Sequence, residues 1–261
     1  MRAPVLHIIS RLSALATVLL VAACGAPSTA VKAPPAEYAA VEDSGFSIPA
    51  VDPARLMDSH ARTEVDYAGP ESPGTIVVDT FARRLYLVQD SGRALRYAIG
   101  VGREGRSFRG SGVIGRKELW PSWTPTRNMV RSEPELYAAL AGGLPGGLES
   151  PLGARALYLY RGGRDSNFRI HGTLDNLSVG RASSAGCIRL FNQDVIDLFD
   201  RVPNGTVVRV RSLEESLAVE GPYIDDANGN AVPETPEAIA AREKLLAKRA
   251  KAEAAETGVQ G

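Results

Sequence analysis

Between Gly74 and Ser212 apolar and polar residues alternate in short runs, the period of strands that bury one face. TIVVDT, RRLYLVQD and ALRYAIGVG come first, the last two separated by the turn signal Asp90-Ser91-Gly92. GVIGRKEL, RALYLYR, NFRIHG and GTVVRVRS follow, each rich in β-branched or aromatic residues. The pattern changes to a helical period only at NQDVIDLFDRV, where Val195, Ile196, Phe199 and Val202 share a face and Asn192 is placed to cap the helix. Many short strands with one or two short helices predict a mainly β fold, a compact sandwich or barrel-like domain. Pro121 to Pro151 interrupts it with WTPTRNM, a short helix in PELYAALAGG and GLPGGLESP, an excursion of the kind that forms a lid or binding loop.

Outside this span the periodicity fades. Residues 24–72 are rich in Ala, Pro, Glu and Ser and read as a disordered tether, with His60 in solvent. Residues 213–261 read as a turn-rich and helical tail, its helix opened by Thr235-Pro236. Asp226, Asn228 and Gly229 match a calcium loop only in part, because Ile224 stands at the first ligand position and no glutamate closes it. Residues 1–23 carry Arg2 and Arg11 ahead of an apolar run from Leu12 to Ala23. That run is too short to span a bilayer, which takes about 20 residues, and suits the core of a signal peptide. The folded domain is thereby expected at 73–212.

Composition narrows the chemistry. Thirty basic and thirty acidic side chains give zero net charge, so nothing points to a nucleic-acid partner. One histidine and one cysteine lie in 73–212, too few for a structural zinc site, and no cofactor is implied. Gly100-Val101-Gly102-Arg103-Glu104-Gly105 matches a dinucleotide fingerprint by letters alone, since RSFRGSGVIG cannot open the apolar helix the pyrophosphate needs. No G-x-S-x-G serine nucleophile is present. What remains is a cysteine nucleophile. Its thiolate is the reactive form, and an imidazole generates it near neutral pH. NFRI reads as a strand that delivers His171, Gly186 permits close backbone approach, and amides around Gly186 and Cys187 are placed to hold an oxyanion. Ser183 and Ser184 can orient donors. Arg189 either adds a positive charge there or is a surface residue. A buried, inert thiol is the competing reading of Cys187.

Two resemblances organise these residues. Val21-Ala22-Ala23-Cys24 resembles the lipobox of bacterial lipoproteins, which implies lipid on Cys24, export to the periplasm and, with Gly25 next, residence at the outer membrane. His171-Gly172-Thr173 followed by Ser184-Ala185-Gly186-Cys187-Ile188-Arg189-Leu190 resembles the YkuD-type L,D-transpeptidases of the bacterial cell wall, and further blocks agree in IVVDTFARRLYLV, WPSWTPT, SPLGARALYLY and GTVVRV. The resemblance makes Cys187 the nucleophile, His171 the general base and Gly186 the glycine of the oxyanion turn. Ser184, Arg189 and Gly172 become supports for the substrate. Trp120, Trp123 and Tyr137 line the cleft or fill the core. The sequence departs at Ala185, where many members carry histidine. The implied reaction takes a peptidoglycan stem peptide, expels D-alanine and passes the acyl group to an amine, for a 3–3 cross-link or an attached protein. With water as acceptor the same site is a carboxypeptidase or cross-link hydrolase. With Ala185 disabling it, the domain is a wall-binding module.

Overall fold

Every alternating run predicted between Gly74 and Ser212 forms a strand. The computed structural model describes residues 33–53, 56–102, 110–184 and 186–257, and residues 33–261 form one compact unit. In chain order the strands are β1 (Val41–Asp43), β2 (Phe46–Ile48), β3 (Thr63–Asp66), β4 (Ile76–Asp79), β5 (Arg84–Val88), β6 (Arg93–Ala98), β7 (Val101–Gly102), β8 (Gly110–Leu119), β9 (Arg155–Arg161), β10 (Arg164–His171), β11 (Ala182–Ser184), β12 (Ile188–Arg189) and β13 (Val207–Val210). Helices α1 (Arg127–Ser132) and α2 (Pro134–Tyr137) lie in the excursion after β8, and α3 (Asn192–Arg201) follows β12.

Nine strands form one sheet in the order β12-β10-β9-β8-β13-β4-β5-β6-β3. Its pairs are antiparallel except β10 with β12 and β13 with β4. Just past β6, Gly100 exchanges two 2.8 Å backbone hydrogen bonds with Arg189 of β12, so the sheet curls until its far strand meets the continuation of β6. Alternation puts Ile76 and Val78, Leu85 and Leu87, Leu157 and Leu159, and Val208 and Val210 on the inner face. Val195, Leu198 and Phe199 of α3 and Val202 just after it pack among them, whereas Ile196, expected on the same face, packs against the separate cluster of Ile48, Trp120 and Ala154.

The tether expected over 24–72 is corrected from Ala33 onward. Tyr38 is fully buried, donates its hydroxyl to Asp194 of α3 (3.1 Å) and accepts the Arg62 amide. β1 and β2 form a hairpin in which Asp43 receives both guanidinium nitrogens of Arg155 (2.8 and 2.7 Å) and Ile48 is buried. β3 adds to the sheet beside β6. A run poor in periodicity is thus held by a few long-range anchors rather than by an alternating face. His60, expected in solvent, is buried against Gly180. Cys24 and the residues expected to form a signal peptide and lipobox lie outside the described residues, as do residues 103–109 of the glycine-rich stretch.

The chain after Leu213 also docks before it leaves. Helix α4 (Leu213–Glu220) opens on a capping box between Ser212 and Glu215. Ser216 donates to Asp79, and Glu220 accepts from Tyr86 and Arg211. A hairpin of β14 (Tyr223–Asp225) and β15 (Ala231–Pro233) is tied on by the Arg83–Asp225 ion pair. The last helix, α5 (Pro236–Thr257), is exposed along most of its length.

Candidate active site

Strand β10 ends on His171, and β12 lies parallel to it with His171 opposite Arg189 and Ile170 opposite Ile188. Ile188 faces the core, so the flanking Cys187 and Arg189 face the other way. There both line a cavity of about 580 Å³ together with His171. Gly186, immediately before Cys187, has φ +126°, a conformation that residues with a Cβ rarely adopt. The motif glycine is therefore required by the turn that presents Cys187.

The imidazole is oriented by the backbone. His171 Nδ1 lies 2.5 Å from the Gly172 carbonyl, which can only accept, so Nδ1 carries the proton and Nε2 keeps its lone pair. The ring is buried, and burial lowers its pKa from 6.5 to about 4, aided by the charges of Arg189 and Arg169 and opposed by hydrogen bonding to the backbone of Gly172 and Leu152. Burial likewise pushes the half-buried Cys187 thiol up, against the backbone of Arg169 and the charges of Arg169 and Arg189. The resting pair is accordingly a neutral thiol and a neutral imidazole. At Cys187 desolvation outweighs the nearby positive charge.

Asn192 was expected to cap α3, but Phe191 holds the cap position and the Asn192 side chain is spent elsewhere. Its Oδ1 accepts from Ala154 N (2.9 Å) and its Nδ2 donates to Thr173 O (3.1 Å), joining the residue that leads into β9 to the segment that leaves β10 just past His171. A Cβ on Gly172 would lie 2.1 Å from that oxygen, and one on Gly153 2.3 Å from it. Gly172 thus makes room for Asn192, and no contact between it and the cavity is needed to account for it. Sequence reasoning had noticed the polar residue but assigned it the local job.

The excursion between β8 and β9 walls the cavity. Trp123 and Leu144 exchange two backbone bonds across its base, and Ser150 ties it to Pro121 O (2.8 Å). Trp123, Met129 and Tyr137 reach the cavity, with the Trp123 and Tyr137 rings 6.2 Å apart. Trp120 does not. It stacks on Phe46 of the N-terminal hairpin and donates to Asp43 (2.6 Å), so of the three aromatic candidates it belongs to the scaffold. Tyr158, Arg169 and Asp175 line the cavity without having been singled out; their signal lay in strand alternation and in an exposed turn after the histidine, neither specific in sequence. The Ser184 side chain and Ala185 lie outside the described residues.

With this geometry in hand, likeness to known proteins is informative. The family model YkuD, the L,D-transpeptidase catalytic domain, matches residues 73–210. The "Probable L,D-transpeptidase ErfK/SrfK" of Escherichia coli K12 is 38% identical over 138 residues, 52% of this chain and 43% of that protein, so the chain spans less than half its length. A solved structure from Brucella melitensis, described as a probable carnitine operon oxidoreductase, is 44% identical, covering 55% of this chain and 88% of the other at a TM-score of 0.42. An L,D-transpeptidase from Mycobacterium smegmatis is 19% identical, covering 53% and 58%, at 0.39. The family match takes in the whole cysteine–histidine pair and more than half of the sequence: the chain belongs to the YkuD family of L,D-transpeptidase catalytic domains.

Proposed function

We propose that the chain is a peptidoglycan L,D-transpeptidase with Cys187 as nucleophile and His171 as base. The observation that carries this is the shared cavity of the two residues, with the His171 Nδ1 proton committed to Gly172 O so that Nε2 is free to accept. Cys187 Sγ gives its proton to Nε2 and attacks the carbonyl of the L-centre of diaminopimelate. Amides around Gly186 and Cys187 hold the oxyanion. Collapse breaks the peptide bond, and D-alanine leaves with the proton returned by the imidazolium. An acceptor amine then loses a proton to Nε2, attacks the thioester and releases Cys187, giving a 3–3 cross-link or an attached protein. The buried imidazole is unprotonated wherever the acceptor has neutral amine to offer, and because it is a weak base toward a thiol whose pKa is raised, proton transfer accompanies attack on the carbonyl instead of preceding it.

We propose further, from the lipobox-like Val21-Ala22-Ala23-Cys24, that the protein sits in the periplasm on a lipid carried by Cys24. Incubating purified protein with tetrapeptide muropeptides and resolving products by mass tests the reaction. Expected are D-alanine release and cross-linked products, both lost in Cys187→Ala and reduced about 10²–10⁴-fold in His171→Ala. Release without cross-linked products makes the enzyme a carboxypeptidase. No release together with retained muropeptide binding makes it a binding module and overturns the proposal.

A further inference from the structure

Two arginines line the cavity, and they are in opposite states. Arg169 is committed: Nη1 and Nη2 donate to Asp165 (2.8 and 3.0 Å), and its guanidinium lies 4.5 Å from the centre of the Tyr158 ring. Arg189 is not. Its Nη2 is buried and meets no hydrogen-bond acceptor among the described residues. Asp175 contributes favourable charge but no hydrogen bond to it, and one Asp175 oxygen already caps Leu177 N. A buried donor on a cation without an acceptor is costly unless something supplies one. The backbone cannot relax it away, because Arg189 is stitched to Gly100 on one side and to β10 on the other.

The position of this open cation defines what fits. Cys187 and Arg189 face the cavity from the same side of an extended segment, two residues and about 6.6 Å apart at Cα. In a bound peptide the terminal carboxylate sits one residue, about 3.5 Å of chain, beyond the carbonyl that Sγ attacks. A guanidinium reaching back from Arg189 covers that difference. We infer that Arg189 is a specificity-determining residue that binds the C-terminal carboxylate of the donor peptide, restricting Cys187 to the last peptide bond of a chain that ends in a free acid. This rests on the transpeptidase reading for the identity of the peptide, but the anion site stands on the geometry alone. An added residue or a blocked terminus would leave the cation unpaired and displace the scissile carbonyl.

The test uses the full chain as Cys187→Ala, titrated by calorimetry with L-alanyl-D-glutamyl-diaminopimelyl-D-alanine, with its C-terminal carboxamide, and with the analogue amidated on diaminopimelate instead. The free acid should bind roughly tenfold or more tighter than the carboxamide, as for loss of a charged hydrogen bond. Adding Arg189→Gln should bring the two to parity, while Arg189→Lys, which keeps the charge and spares the fold, should keep part of the preference. Equal binding of acid and carboxamide to Cys187→Ala overturns the inference without any change at residue 189. So does a preference that survives Arg189→Gln, or one that tracks the diaminopimelate carboxylate instead of the terminal one. D-alanine release by the unsubstituted protein is read in parallel. Acid preference without release sinks the transpeptidase reading and leaves the carboxylate site, whereas release without acid preference does the reverse.

Discussion

At His171 the desolvation that keeps the ring neutral also lowers stability in acid. The ring binds a proton less readily folded, near pH 4, than unfolded, near 6.5. Between those values the unfolded chain takes up the extra proton, so this residue's contribution falls as pH drops through the window, by about 3 kcal/mol at its acid end. Asp194 runs the other way. Burial raises its carboxyl to about 7, so the folded chain holds the extra proton there and that contribution falls as pH rises. Urea unfolding of wild type and His171→Gln between pH 4 and 7 isolates the histidine: the variant should gain relative to wild type as pH falls, and parallel curves would refute a buried neutral ring. Cys187 offers a second check. With its thiol held above the usual value of about 8.5, alkylation by iodoacetamide should be slow at pH 7 and still climbing above pH 9. A fast rate that is already flat below pH 7 would show an ion pair instead.

The first turn of α3 is where element and site meet. Asn192→Ala removes both partners of Ala154 N and Thr173 O from a buried position and should cost about 1–3 kcal/mol in thermal or urea unfolding, with slower D-alanine release. Asn192→Asp, which keeps only the acceptor, should recover part of the loss. This helix also shows what was legible in the sequence. Its apolar stripe at Val195, Phe199 and Val202 was, because period is a local property, and so were β9 and β10 from Leu157, Leu159 and Ile170. His171 and Cys187 stood out because few side chains of their types compete with them. The use of Asn192 was not, since its partners lie 38 and 19 residues away and any polar residue at that point resembles a cap. The same limit hid the N-terminal strap: the Tyr38–Asp194 bond spans 156 residues, and strands of three residues carry too little alternation to register.

For the molecule as a whole, the family span of 73–210 is smaller than the folded unit. A chain begun at Pro73 would lose Tyr38, Ile48 and Val51, each almost wholly buried, and would leave Asp194 and Arg155 without Tyr38 and Asp43. At about 1.5–3 kcal/mol for each buried side chain, the loss is comparable to the stability of an ordinary domain. Such a fragment should melt at least about 10 °C lower than one begun at Ala33 or fail to fold, so activity lost on trimming reports stability before it reports a tether. Three successive residues explain why strap and site are inseparable. Asn192 grips the segments beside His171, Gln193 donates to Ala39 O and Pro49 O at the ends of the hairpin, and Asp194 holds Tyr38 and Arg62. In hydrogen-exchange terms one helical turn is the common hinge of a single cooperative opening. The amides of Ala154 and Arg62, far apart in sequence, should share one opening free energy to within about 1 kcal/mol, and Asp194→Asn should lower both together. Separate protection values would mean that the cavity floor breathes on its own clock; a shared one makes the lifetime of the assembled pair a property of residues that never touch it.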